Sequence, residues 1–144
     1  MSNVIIRKAQ LGDAEILAEL SRQLGYPSTV AEVLERLEAI LSQLDHHVLI
    51  AEIHGQVVGW VHIFTAYRVE SSPFAEIGGL VVDQNFRGKG IGLELVIQSK
   101  QWASDQGLGQ IRVRSNVMRE AAHRFYQRIG FEQSKTSIVF SMQI

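Results

Sequence analysis

The chain has 144 residues, 46% hydrophobic and 20% charged, with a net charge of −1. Such a composition predicts one soluble globular domain over residues 1–144 that buries about two-thirds of its unfolded surface, and it excludes a general nucleic-acid binder, which needs a basic face. No cysteine is present, which excludes disulfides, thiolate metal sites and a cysteine nucleophile.

The first residues, Met1 to Lys8, hold no long apolar signal-type stretch, and no run approaches the roughly 18 apolar residues of a membrane span. The expectation is a cytoplasmic protein without membrane partners. Val4–Lys8 reads as a short strand. Leu11-Gly12-Asp13 offers a cap to a helix reaching Leu24, with Ile16, Leu17, Leu20 and Leu24 on one face. Gly25-Tyr26-Pro27 breaks it. Ser28 or Thr29 caps a second helix carrying Val33, Leu34, Leu37, Ile40, Leu41 and Leu44 at helical spacing. His47–Ile53 and Gln56–Ala66 are strands around a tight His54-Gly55 turn. Ser71-Ser72-Pro73 reads as a loop before a strand at Ala75–Asp83. Gly90–Gln106 is a helix, with Ile91, Leu95, Gln98 and Trp102 along a face. Gln110–Ser115 is a strand, Glu120–Ile129 a helix, and Phe131–Gln133 and Ser137–Gln143 are the last strands.

The most informative stretch runs from Val81 to Gly92. A buried strand passes into a basic, glycine-rich turn that opens a helix. A helix start leaves about four N–H groups without intrahelical partners, at the positive end of the macrodipole. Gly88, Gly90 and Gly92 let an anion approach that backbone, and Arg87 and Lys89 add cations. The Walker form fails because Gly90, not Ser or Thr, follows Lys89. The dinucleotide form fails because Gly90-Ile91-Gly92 is followed by Leu93-Glu94-Leu95, without the third glycine.

What remains is R-x-x-G-x-G at Arg87, Gly90 and Gly92, after Leu80-Val81-Val82. It resembles motif A of the GCN5-related N-acetyltransferases. Downstream, Phe125-Tyr126-x-x-x-Gly130-Phe131 resembles that family's motif B. The Asn116-to-Tyr126 spacing is longer than in many relatives. The resemblance implies an α/β (α+β) fold: a mixed, mostly antiparallel sheet, splayed open at a cofactor cleft and flanked by four helices. It implies an acetyl-CoA-dependent N-acetyltransferase, with a primary amine of a small molecule (aminoglycoside-like or a polyamine) or of a polypeptide as acceptor. The alternative is a non-catalytic acyl-CoA-binding module on the same fold. A homodimer is one assembly this implies, and no metal is expected.

The resemblance also assigns residues. Leu80, Val81 and Val82 contact acetyl-CoA through main chain. Arg87, Gly88, Lys89, Gly90, Ile91 and Gly92 hold its pyrophosphate, and Asn116 is a further cofactor contact. The Gly78-Gly79 pair inside a strand marks a bulge or a close ligand approach. Tyr126 is the candidate general acid, since a phenol with reference pKa near 10 suits a thiolate leaving group; a packing residue is the other reading. Glu76, eleven residues before Arg87, is the candidate base, a water relay or a charge that binds a cationic acceptor. Tyr26, in the break between the first two helices, and Tyr67 are acceptor-binding candidates; Trp60 reads equally as core. His46, His47, His54, His62 and His123 form no metal spacing, and His123 reads as a capping or packing group.

Overall fold

The structure is a computed structural model that describes residues 3–144. The chain divides into two compact units, Met1–Arg114 and Ser115–Ile144. In the first, β1 (Val4–Lys8) leads through a short 3-10 turn (Leu11–Asp13) into α1 (Ala14–Gln23) and α2 (Val30–Leu41). There follow β2 (His46–Ile53), β3 (Gln56–Arg68), β4 (Ser71–Val82), a second 3-10 turn (Gln84–Phe86), α3 (Ile91–Asp105) and β5 (Ile111–Val113). The second unit holds α4 (Glu120–Arg128). No helix among the described residues is long and apolar enough to cross a membrane.

One sheet runs in the order β1-β2-β3-β4-β5, antiparallel throughout except for β4 with β5. That parallel pairing spans only Ala75–Ile77 against Ile111–Val113. Beyond Ile77, β4 continues to Val82 with no neighbour on its β5 side among the described residues. The sheet therefore opens into a wedge at the end where α3 begins.

Local chemistry accounts for most boundaries. His54 (φ 51°) and Gly55 (φ 79°) both adopt the left-handed region, as a two-residue hairpin turn requires. Thr29 caps α2: its hydroxyl accepts the Glu32 N–H at 3.1 Å while Glu32 Oε1 accepts the Thr29 N–H at 2.8 Å. Asp13 does not cap α1 with its side chain. Its carboxylate instead accepts the Gln10 N–H at 2.7 Å and pairs with both arms of Arg7 at 2.8 and 3.0 Å. This charge-assisted fork holds the Asp13 carboxyl below the ordinary carboxylate range and raises Arg7.

Four expectations change. The expected Ser71–Pro73 loop is the first part of β4, pairing back onto Arg68, because Pro73 sits near the strand start where a missing N–H is tolerated. On α3 the inward face is Ile91, Leu95, Ser99 and Ala103, with Gln98 exposed; a four-residue step follows one face more closely than the step from Leu95 to Gln98. Leu44 lies beyond the end of α2, exposed. Residues 131–144 carry no strand, because a strand needs a ladder partner and their own unit offers none.

Both sheet faces of the first unit are covered. Val48 and Ile50 pack with Leu17 and Leu37 from the two first helices, and with Trp60 and Val57. On the opposite face α3 lies so close that a Cβ on Gly59 would stand 3.4 Å from Leu95 Cδ1 and 2.9 Å from the Val81 carbonyl oxygen. His47 stacks on Trp102 there, ring centroids 5.7 Å apart.

Candidate active site

The turn before α3 is built by backbone geometry. Gly88 (φ 77°) and Gly90 (φ 82°) are both left-handed, and Gly90 is the N-cap. Side-chain-bearing residues pay about 1–2 kcal/mol for that conformation. A Cβ at either would meet nothing within 4 Å, so the space above the turn is open. The bond from the Glu94 N–H to the Gly90 carbonyl, 3.0 Å, starts the helical ladder. The N–H groups of Ile91, Gly92 and Leu93 precede it without intrahelical acceptors.

The turn is braced from below. Asp83 accepts the Asn85 N–H at 2.9 Å, its carbonyl accepts the Phe86 N–H at 2.8 Å, and the Gln84 N–H donates to Gln23 Oε1 at 2.9 Å. Arg87 Nε donates to the Val82 carbonyl at 3.2 Å, and the Lys89 ammonium lies 5.7 Å from the Phe86 ring centroid. Two cations, a helix start and unfilled space above two left-handed glycines suit a bulky polyanion such as a pyrophosphate.

In β4 the register with β3 slips between His62 and Ile63: His62 faces Gly79, Ile63 faces Ile77, and Gly78 is the extra residue. The expected bulge is present, and the glycines have a reason beyond ligand approach. A Cβ on Gly78 would stand 2.9 Å from His62 Nδ1, and one on Gly79 only 2.6 Å from the Trp60 ring. The β3 rings occupy that space. Leu80, Val81 and Val82 complete β4, Val81 buried and its neighbours half-buried.

Glu76 lies in the interior of β4 rather than at its start, half-buried and opposite Phe64. Both its oxygens face arginines: Arg68 at 3.8 Å and Arg114 at 3.5 Å. Sequence reasoning missed these partners. The signal available was Arg112-x-Arg114, in and just after the strand that pairs with β4, where the direct partner of Glu76 is Arg112.

The other assignments separate. Tyr26 is exposed in the break between α1 and α2. Tyr67 lines a hollow of about 520 Å³ with Leu44, Thr65 and Gly107, at the C-terminal end of α3. Strand alternation puts it on the face opposite Trp60, His62 and Phe64. Trp60 is a core residue, its indole N–H buried without a partner. In the second unit, burial pushes the Tyr126 phenol up, partly opposed by the Arg119 charge; its ring meets Phe125 and Phe131 edge-on. Asn116 accepts the Met118 N–H at 2.8 Å, and the His123 ring binds the Asn116 carbonyl at 2.8 Å. His123 thus fastens the turn before α4, as a capping group does. No group of three or more metal-ligating side chains occurs among the described residues.

Comparison with known proteins agrees with this geometry. An aminoglycoside N(6')-acetyltransferase type 1 of Stenotrophomonas maltophilia is 28% identical, covering 96% of this chain and 93% of its own. An aminoalkylphosphonate N-acetyltransferase of Salmonella typhimurium is 33% identical over 61% of this chain and 58% of its own. An aminoglycoside N-acetyltransferase solved in complex with CoA superposes with a TM-score of 0.89 at 22% identity, over 100% of this chain and 97% of that one. The apo aminoglycoside 6'-N-acetyltransferase of Acinetobacter haemolyticus gives 0.87 at 19% identity, over 97% and 99%. The profile of the acetyltransferase (GNAT) family matches residues 14–131, across both units. With a wedge-opened sheet, a bulged β4 and a left-handed glycine turn at the start of α3, the chain belongs to the GNAT family of acetyltransferases.

Proposed function

We propose that this acetyltransferase takes acetyl-CoA as donor and acylates a primary amine of a small polar molecule. The observation that carries the reading is the Gly88-Lys89-Gly90 turn, whose left-handed glycines leave open space over the first N–H groups of α3. The turn stands at the end of β4, where the main chain from Gly78 to Val82 has no strand partner on its β5 side among the described residues. An extended, amide-bearing arm attached to a pyrophosphate fits that sequence of features. The aminoglycoside N(6')-acetyltransferase relative supports an amino sugar as first acceptor to test, and the aminoalkylphosphonate relative supports a smaller aminoalkyl compound as second.

The reaction places three demands on the chain. Charge developing on the thioester oxygen needs a preorganised donor, which a bulged strand's unpaired N–H supplies. The acceptor needs a charge to hold it, and Glu76 provides one, tied in place by Arg68 and Arg114. The departing thiolate needs a proton, and Tyr126 supplies it: its phenol, raised by burial, stays protonated at neutral pH. The test is calorimetry with CoA, followed by thiol release from acetyl-CoA across sisomicin, neamine and 2-aminoethylphosphonate, with mass detection of the acetylated product. CoA binding with transfer to one of these supports the reading. CoA binding without transfer to any amine favours a sensing module, and absence of CoA binding overturns both.

A further inference from the structure

Three residues from neighbouring strands form a stack on the sheet face that carries Glu76. His46 Nδ1 lies 2.9 Å from His62 Nε2, a hydrogen bond between two imidazoles. The two ring centroids are 5.1 Å apart, and Phe64 stacks on His46 at 5.1 Å and lies tilted against His62 at 5.2 Å. The far edge of the His62 ring meets the bulge: its Nδ1 would be 2.9 Å from a Cβ on Gly78, and only glycine leaves that edge clear. Nδ1 has no hydrogen-bond partner among the described residues, and His62 is half-buried. His62 thus has one nitrogen at the bulged stretch of β4 and the other bonded to a second imidazole.

A hydrogen bond between two imidazole nitrogens requires one to carry a proton and the other a lone pair. Two positive charges at that separation repel strongly, so the pair holds at most one. Burial first, and the His46 charge second, push His62 down to about 4; it is neutral at pH 7 and available as an acceptor. The charged groups sharing this face are Glu76 on β4, with Arg68 on β3 and Arg112 and Arg114 at β5 around it, and Arg7 on β1, paired with Asp13 and Glu52. None is within hydrogen-bond reach of either ring, and α1 and α2 present apolar Leu17, Val33, Leu37, Ile40 and Leu41 to the sheet.

We propose that His62 receives at Nδ1 the proton lost by the acceptor amine, and that His46 conducts it to solvent. The inference rests on the acetyl-transfer reading above. Once the amine nitrogen has formed its bond to the thioester carbon, it carries a positive charge and an acidic N–H. That N–H breaks and His62 Nδ1–H forms. His62 Nε2 releases its proton to His46 Nδ1, and His46 releases its Nε2 proton to water. After the product departs, water removes the Nδ1 proton while His46 passes one back inward, which restores both tautomers with no net change. A weakly basic ring suits a relay, which must release the proton as readily as it accepts it. His62 is then the catalytic residue and His46 a positioning and relay residue.

Two measurements test this. The first is turnover, on whichever amine of the panel the parent acetylates. His62→Gln is expected to lower kcat by about 10²–10⁴-fold, the range for a positioned acid or base. His62→Ala is expected to regain rate on adding free imidazole, which a packing role does not allow. His46→Phe, which keeps the aromatic stack, is expected to lower kcat by about tenfold with KM unchanged and to diminish the solvent isotope effect. Parental kcat in a folded His62→Gln variant overturns the proposal. The second is nitrogen-15 NMR of the histidines in the parent with CoA bound, which needs no acceptor. The expected resting state has the His62 proton on Nε2 and a bare Nδ1. A proton on Nδ1 overturns the relay even if every amine in the panel fails, whereas failure of every amine with the expected tautomer overturns the acetyl-transfer reading alone.

Discussion

Gly90→Ala separates the use of the glycine turn from its cost. Gly90 has φ 82° and open space where a Cβ would go, so the substitution creates no clash with protein and only forces alanine into the left-handed region. That costs about 1–2 kcal/mol, or a fall in melting temperature of about 3–6 °C for a chain of this size. Gly107, at the other end of α3, has φ 79° and equally open surroundings. Gly107→Ala therefore carries the same strain about 22 Å away, from the 15-residue length of the helix. Stability should fall alike in both. Binding should not. In Gly90→Ala the methyl occupies the place of an anion over the first N–H groups of α3. Helix-start stabilisation of up to about 2 kcal/mol and a charge-assisted hydrogen bond of about 1.5–3 kcal/mol are weakened together. A net loss of about 3 kcal/mol is about a hundredfold in Kd. Calorimetry with CoA and thermal melts on the two variants and the parent decide it. Equal CoA affinity in all three refutes the cradle, and a weakening in Gly107→Ala as large as in Gly90→Ala shows that strain, not blocked approach, is responsible.

Tyr126→Phe should lower single-turnover rate by about 10²–10⁴-fold with little change in melting temperature; a stable variant at the parental rate removes Tyr126 from the chemistry. Because burial raises this phenol, it is protonated below its shifted value, so the parental rate should show no loss from its titration through pH 9. Glu76→Gln should reduce kcat/KM by about tenfold and by the same factor at every pH, as for a charge that holds the acceptor; a loss that shrinks as pH rises identifies Glu76 as the base instead. Asp13→Asn should cost about 2 kcal/mol at pH 7, measured by urea unfolding. The folded-state value of Asp13 lies below its unfolded value, so its contribution is complete above about pH 4 and is lost as pH falls through the lower, folded value; the variant's stability should be flatter across that window.

The parts of the site legible in the sequence were those set by local rules. Gly88 and Gly90 announce left-handed backbone before a helix, and Thr29 with Glu32 announces a cap; both are encoded within a few residues. Non-local registers were not legible. A two-residue turn at His54-Gly55 with unbroken pairing would set His47 opposite His62. A bulge between Ala51 and Glu52 shifts the ladder by one, so Val48 faces His62 and His46 becomes its same-face neighbour. One extra residue therefore decides which of two adjacent histidines joins the pair and which stacks on Trp102. The same limit hid the arginines around Glu76, which meet it only because β5 returns parallel to β4. The Ser137–Gln143 segment has a strand's composition but no partner in its own unit, and composition carries no information about partners.

The brevity of the β4–β5 ladder has a consequence for how the folded state is maintained. Three register pairs hold the two strands, and from Gly78 to Val82 the outer backbone groups of β4 have no strand partner among the described residues. Unoccupied sheet edges exchange their amide hydrogens quickly and invite pairing with foreign strands. On the proposed reading, an extended cosubstrate carrying amides along that edge would complete the sheet as a surrogate strand. Mass action then adds about 2.7 kcal/mol to unfolding free energy at a hundred times Kd, and hydrogen exchange along Gly78–Val82 should slow sharply while β1 and β2 exchange much as before. If acetyl-CoA is the donor, as proposed above, its concentration is then expected to set the protein's resistance to proteolysis as well as its rate, which proteolysis with and without CoA measures.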